Sequence, residues 1–393
     1  AVVAFDRGDM MHALGSARLA QQIADQTGQF LGTTLLIIVT ANIAIGAGDF
    51  PLAARSLRQA RARVKGPVSA TFLGAIALNE AWLAHRQGDA PGREQQLRAA
   101  LETAEDAGAR VRMHWYPNAL SELLPVALAQ GIGPHMARRL ARDFGVRPQP
   151  ADIENWPWPV RVQVLGPFEL LIDGEPAVFS RKTPKKVLAL LSAIIAFGGT
   201  GVAEQRVLEA LWPDDDGDAA YRSLIATVRR LRDLLEQKDA VRQSGGKLSL
   251  DPDRCWVDAW AFERALEAGG PAALARAIAL YRGGFLDREE QAHWAVPIRE
   301  RLRGKFVQAV VSAAEEYERD GRDGEAIACY LKGIDADNLV ETFYQGLMRC
   351  YARLERRTEA VSAYRRLRQV LSVTLGVAPS AATERLYQSL RQS

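Results

Sequence analysis

Three Gly-Asp pairs recur at a spacing of 40 residues: Gly8-Asp9, Gly48-Asp49 and Gly88-Asp89. Each follows a helical stretch and opens one rich in Ala, Arg and Leu. Glycine enters left-handed backbone without strain, and aspartate accepts from the free N–H groups of a new helix. The pair therefore suits the turn of a helix hairpin. A period of this size specifies stacked hairpins, each too small to bury its own apolar face. Residues 1–150 are expected to form such an α-solenoid. Its second helices are expected to end near Gly28, Gly66 and Gly108, with a last short helix after a break at 131–134.

The longest apolar stretch, residues 35–45, falls short of the ~20 residues a membrane span needs and contains Asn42. It reads as a buried repeat helix. The chain starts at Ala1 inside a helical pattern and is expected to be a fragment of something longer. Three cysteines, Cys255, Cys329 and Cys350, are odd in number, widely spaced and outside any CxxC. That pattern fits free buried thiols in a reducing cytoplasm.

At residue 160 the period changes. Val160-Arg-Val-Gln-Val-Leu165 alternates as a half-buried strand does. Residues 168–172 form a second strand, Asp173-Gly174 a hairpin turn, and 177–179 a third short strand. Helices are expected over 184–197, 204–211 and 218–236. A closing hairpin over 240–250 turns at Gly245-Gly246. The linker before this module, 151–159, is stiffened by Trp156-Pro-Trp-Pro159. Its two tryptophans suit a domain interface better than a ligand-stacking pair.

After Asp253 the pattern is helical throughout. A second repeat appears: Glu325-Ala326 matches Glu359-Ala360, and Tyr330 matches Tyr364, each 34 residues on. Thirty-four is the tetratricopeptide period. The chain thus reads as mostly α: tetratricopeptide-like repeats over 1–150, a linker, a winged helix-turn-helix over 160–252, and a helical domain over 253–393.

Residues 160–393 resemble the DNA-binding and bacterial transcriptional activator domains of the Streptomyces antibiotic regulatory protein type. The resemblance rests on Val164-Leu-Gly-Pro-Phe168, Lys185-Lys-Val-Leu-Ala-Leu-Leu191, Leu211-Trp212, Val228-Arg-Arg-Leu-Arg232 and Trp256-Val-Asp-Ala-Trp-Ala-Phe262. Tyr281-Arg-Gly-Gly-Phe-Leu286, Leu347-Met348 and Leu375-Gly-Val-Ala-Pro-Ser380 follow in the same order. It implies an OmpR-like winged helix followed by a tetratricopeptide-type activator domain. In large members of this group an ATPase and repeats precede that pair. No G-x-x-x-x-G-K-[ST] occurs in this chain, so an ATPase would lie upstream of Ala1.

Net charge does not point to nucleic acid, because residues 160–250 hold 13 Lys/Arg against 12 Asp/Glu. The placement of the charges does. At about 100° per residue, Leu224, Val228, Leu231 and Leu235 share one face of helix 218–236. Arg222, Ser223, Ala226, Arg229 and Arg230 gather opposite, with Arg232 on a flank. This is the layout of a helix that reads the major groove. Ser223, Ala226 and Thr227 permit close approach to base edges, while the arginines reach phosphate or guanine. The resemblance assigns DNA contact to Arg229, Arg230 and Arg232. A solvated basic face is the bland alternative. Lys182, Lys185 and Lys186, at the start of the preceding helix, are candidate phosphate clamps. Arg242, Ser244 and Lys247 of the closing hairpin are candidate wing contacts, although the turn lacks the arginine and aromatic usual in such wings. The resemblance also makes Asp214, Asp215 and Asp216 an RNA polymerase-facing loop. The alternative is a solvated turn in which Asp216 or Asp218 caps the helix.

The five histidines (His12, His85, His114, His135, His293) are scattered and fit no catalytic motif. No catalytic, metal or cofactor site is expected. Double-stranded DNA, RNA polymerase, a second copy of the chain and a protein or small-molecule effector on the first repeats are the expected partners. The competing reading is a helical-repeat interaction scaffold whose winged helix is degenerate.

Overall fold

The computed structural model describes residues 9–26, 30–64, 69–107, 116–149, 153–179, 184–287 and 292–392. Contacts divide the chain into two compact units, 1–157 and 158–393.

The described elements of the first unit are helices: α1 (Met10–Gln26), α2 (Phe30–Ala47), α3 (Phe50–Arg63), α4 (Ser69–Gln87), α5 (Ala90–Ala107), α6 (Pro117–Gln130) and α7 (Pro134–Asp143). The Gly-Asp pairs do what their chemistry suggests. Gly48 and Gly88 take φ of +80° and +77°. Asp9, Asp49 and Asp89 then each accept from the backbone N–H three residues on, at 3.0–3.1 Å. These bonds satisfy N–H groups that a helix start otherwise leaves bare. Gly8, Gly28, Gly66 and Gly108 lie outside the described residues. Gly131, at φ +67°, ends α6 before α7 begins.

The apolar stretch around Asn42 is the buried centre of α2, where Ile37, Ile38, Ile43 and Ile45 are almost fully enclosed. Asn42 donates to Asn79 Oδ1 at 2.9 Å, and Asn79 donates to Ala75 O at 2.8 Å. The pair ties α2 to α4 and repays the burial of two amides. No described helix is long and apolar enough to cross a membrane. Trp82, buried in α4, donates to Glu122 of α6 at 2.9 Å, which makes it a packing residue. Trp115 is outside the described residues.

The second unit begins with β1 (Val160–Gln163), β2 (Glu169–Ile172) and β3 (Glu175–Pro176). Then come α8 (Lys185–Ala196), β4 (Val202–Ala203), α9 (Glu204–Leu211), α10 (Gly217–Leu234), β5 (Val241–Ser244), β6 (Lys247–Leu250) and β7 (Cys255–Val257). One sheet has the order β3-β2-β1-β7, the other β4-β6-β5. Three details depart from the sequence reading. The third strand is 175–176 rather than 177–179, because the two-residue turn at Asp173-Gly174 pairs Ile172 directly with Glu175, and Val178 is left exposed. A two-residue strand, β4, joins the closing hairpin. The region after Asp253 is not helical from the start: β7 comes first and pairs in parallel with β1.

Beyond β7 run α11 (Asp258–Ala268), α12 (Pro271–Leu280), α13 (Val296–Arg319), α14 (Asp323–Ala336), α15 (Glu341–Arg353), α16 (Arg357–Leu375) and α17 (Ala381–Gln392). Several contacts recur with the 34-residue repeat. Ala326 and Ala360 are fully buried. Arg322 pairs with Glu325 and lies over Tyr317; Arg356 pairs with Glu359 and lies over Tyr351. Tyr330 fills the space that Gly346 leaves, where an added Cβ would meet the ring at 2.2 Å. An aromatic chain, Phe262, Tyr281, Phe306 and Phe343, runs through the core with centroids 4.1–6.2 Å apart. The three cysteines are free and buried. Burial raises the thiols of Cys255, Cys329 and Cys350 to about 12, about 11 and about 12.

Candidate nucleic-acid interface

Helix α10 packs on α8 through Leu224, Val228 and Leu231, all buried. Asp216 occupies its N-cap position, but its side chain accepts no capping bond; the backbone carbonyl accepts from Ala220 N at 2.7 Å. Asp214, Asp215 and Asp216 are all exposed, as is Asp218 in the first turn.

The outward face of α10 carries Arg222, Arg229 and Arg230, exposed, with Ala226 between them and Ser223 half-buried at the edge. None of these three guanidinium groups has a hydrogen bond or ion pair to a described residue. Asp218 and Asp233 are exposed near the two ends of the helix, so the positive charge sits along its middle. Thr227 departs from expectation. It is 5% exposed, and its hydroxyl donates to Ser223 O at 2.6 Å. At 100° per residue it adjoins the Leu224–Val228–Leu231 stripe, so it faces the core and is withdrawn from the surface.

The remaining candidates divide by whether the fold already uses them. Arg232 is half-buried and donates through Nε to Val241 O at 3.0 Å, holding α10 to the first wing strand. Arg242 pairs with Asp251 at 2.5 Å, its own side chain 67% exposed and the carboxylate 6%. Lys186 donates to Leu211 O and sits 5.0 Å from the Trp212 ring centroid. Trp212 is half-buried beneath that ammonium. Lys185, Ser244 and Lys247 are exposed. Lys182 lies outside the described residues. Gly245 and Gly246, at φ +58° and +69°, make the two-residue wing turn with a backbone other residues resist.

Sequence reasoning passed over Tyr221 and Ile225. They are 46% and 41% exposed on one flank of α10, between its apolar stripe and Arg229. The signal was present: with Arg229 they form an i, i+4, i+8 row.

The winged helix does not stand apart from the helices after it. Asp258, first residue of α11 and 2% exposed, accepts from Val164 N, Leu165 N and Ala259 N at 2.7–3.0 Å. Desolvation outweighs these bonds and pushes its carboxyl up to about 6. Beside it, Leu286 N donates to Val164 O and Gly166 N to Gly284 O at 2.9 and 3.1 Å. Gly166 lies so close to Arg282 that an added Cβ would meet its backbone at 3.3 Å. Gly199, following α8, leaves room for the Trp260 ring, which an added Cβ would meet at 2.1 Å. The motifs at 164–168, 256–262 and 281–286 therefore meet at one seam. Among the described residues no group of three or more His, Cys, Asp or Glu is placed to hold a metal ion.

Residues 257–391 match the bacterial transcriptional activator domain family. The match covers about the last third of the chain. The transcriptional regulatory protein EmbR of Mycobacterium tuberculosis is 25% identical over 244 residues, 58% of this chain and 62% of EmbR. The regulatory protein AfsR of Streptomyces coelicolor is 28% identical over 245 residues, 60% of this chain and 24% of AfsR. The transcriptional regulator RedD of the same organism is 26% identical over 276 residues, 64% of this chain and 77% of RedD. The chain thus spans about three-fifths of the length of EmbR. A solved structure of M. tuberculosis EmbR with a low affinity phosphopeptide aligns at 23% identity and TM-score 0.45, covering 60% of this chain and 65% of that one. The activator domain opens at Val257, last residue of β7, so its first matched position lies in the sheet of the winged helix.

Proposed function

We propose that this chain is a transcriptional regulator that binds double-stranded DNA with α10 in the major groove and the 241–250 hairpin beside it as wing. The observation that carries the reading is the outward face of α10: Arg222, Arg229 and Arg230, exposed and without a described partner. Cations elsewhere in the same module are already engaged by Val241 O, Asp251 and Leu211 O. Guanidinium groups held in water at one surface suit phosphate oxygens or guanine edges. Lys185, Ser244 and Lys247 would add backbone contacts. Lys186, Arg232 and Arg242 would act chiefly by holding the module's shape.

The seam at Asp258 supports a further part of the reading: the activator domain moves with the reading helix as one piece. Asp214, Asp215 and Asp216, exposed ahead of α10, are the segment we assign to RNA polymerase contact. Dimer formation through the activator domain, and an effector on the first repeats, complete the proposal.

The test is the salt dependence of DNA affinity. Phosphate neutralisation releases counterions, so log K should fall linearly with log salt. The slope should become shallower when Arg222, Arg229 and Arg230 are replaced by alanine. A flat salt response in the wild type would instead favour the interaction-scaffold reading.

A further inference from the structure

The outward face of α10 is not uniformly cationic. The exposed large apolar side chains described in residues 160–252 are Val178, Tyr221 and Ile225, and the latter two lie on this helix. Both sit on the flank of the helix, between the buried stripe of Leu224, Val228 and Leu231 and the arginine face, and both are left in solvent. Isoleucine is also an indifferent helix former at an exposed position, so local propensity does not account for it.

Their surroundings decide what they suit. Tyr221 and Ile225 stand one turn apart and continue into Arg229 in the same row, with Arg222 alongside. A protein-docking site usually gathers a contiguous apolar patch with charge excluded from its centre. Here one small apolar pair, Tyr221 and Ile225, borders the guanidinium groups of Arg222 and Arg229. The matching surface is polyanionic with isolated apolar points. The major groove of DNA is such a surface, and its apolar points are the 5-methyl groups of thymine.

We infer that Ile225 and Tyr221 are specificity-determining residues that read thymine methyl groups, next to a guanine read by Arg229. The inference rests on the DNA-binding reading above and adds to it the base composition of the half-site. A helix rises about 1.5 Å per residue, so Ile225 and Arg229 are about 6 Å apart along α10. Base pairs follow one another every ~3.4 Å. The methyl-bearing thymine therefore falls within about two base pairs of the guanine.

The experiment removes the methyl and nothing else. The full chain first selects its sites from a random-sequence duplex library. Each thymine of the recovered site is then replaced, one at a time, by deoxyuridine, and affinity is measured at fixed salt. Wild type should lose roughly fourfold at one or two positions, the worth of one buried methyl-sized group. Ile225→Ala should abolish the penalty at one of them and Tyr221→Ala at the other. Tyr221→Phe should keep it, since the ring rather than the hydroxyl makes the contact. Matching melting temperatures keep the surface variants comparable. A wild type that selects a site yet binds every uracil-substituted duplex equally well overturns the inference while leaving DNA binding intact. Penalties that persist unchanged in both alanine variants overturn it as well. A wild type that selects no sequence overturns both readings together.

Discussion

Two places in the second unit handle charge in opposite ways. At the seam, the Asp258 carboxylate is buried and given three N–H donors. On α10, Arg222, Arg229 and Arg230 stand in solvent with no described partner. Burying a charge is costly unless it is hydrogen-bonded, so the seam must be satisfied for the fold to exist. An exposed arginine carries no such demand, and its removal should barely disturb folding. The contrast separates residues kept for architecture from residues available to a partner.

Breaking the free side should have the largest effect. Arg229→Ala/Arg230→Ala should weaken specific DNA binding by at least about 30-fold, if each arginine makes a contact worth ~1–3 kcal/mol. The melting temperature should stay within a degree or two. A large fall in stability would show that these arginines belong to the architecture. Breaking the satisfied side comes next. Asp258→Ala leaves three buried N–H groups without their acceptor, which should cost about 3 kcal/mol at pH 7 and be read by thermal or urea unfolding.

The pH dependence sharpens the same point. The folded-state pKa of Asp258 is raised from 3.8 to about 6, so the folded chain binds the proton more tightly than the unfolded one. Its stabilising contribution is fully present below about pH 4 and is lost as pH rises through 6. The stability gap between wild type and Asp258→Ala should therefore widen as pH is lowered from 7 to 4. A gap that narrows would mean that the N–H donors outweigh desolvation.

Smaller effects test the boundary between the two classes. Arg242 sits on the wing but is paired with Asp251. Arg242→Ala should change DNA affinity by less than about fivefold, an effect under ~1 kcal/mol. The smallest effect concerns the repeat turns. Gly321 takes φ +70°, and Glu355, its counterpart 34 residues on, is held at +59°. Glu355→Gly should raise unfolding free energy by about 0.5 kcal/mol, since a side chain is strained in that region.

Much of this was legible in the sequence because the signals were periodic. The Gly-Asp pairs mark turns that the structure builds with Asp caps at 9, 49 and 89. The Glu325/Glu359 and Tyr330/Tyr364 pairs mark helices whose contacts repeat. The apolar stripe of α10 separated its two faces, apart from Thr227. That residue looks polar, yet it returns its hydroxyl to Ser223 O and can be buried at no cost. What escaped was short or non-local. β7 has three residues and makes sense only against β1, nearly a hundred positions earlier. β4 has two residues and gains its meaning from the wing. Tyr221 and Ile225 were passed over because a search for basic residues on that face ignores apolar ones. The internal bonds of Lys186, Arg232 and Arg242 depend on packing that no periodicity records.

The central claim is that Arg222, Arg229 and Arg230 of α10, which have no partner among the described residues, read DNA. The most direct measurement is a binding selection from sheared genomic DNA of the source organism, with wild type and Arg229→Ala/Arg230→Ala side by side. The account predicts that wild type enriches a short recurring half-site and that the double variant does not. Enrichment of the same half-site by both proteins would contradict it, as would no enrichment by wild type or by residues 158–393 alone at low salt.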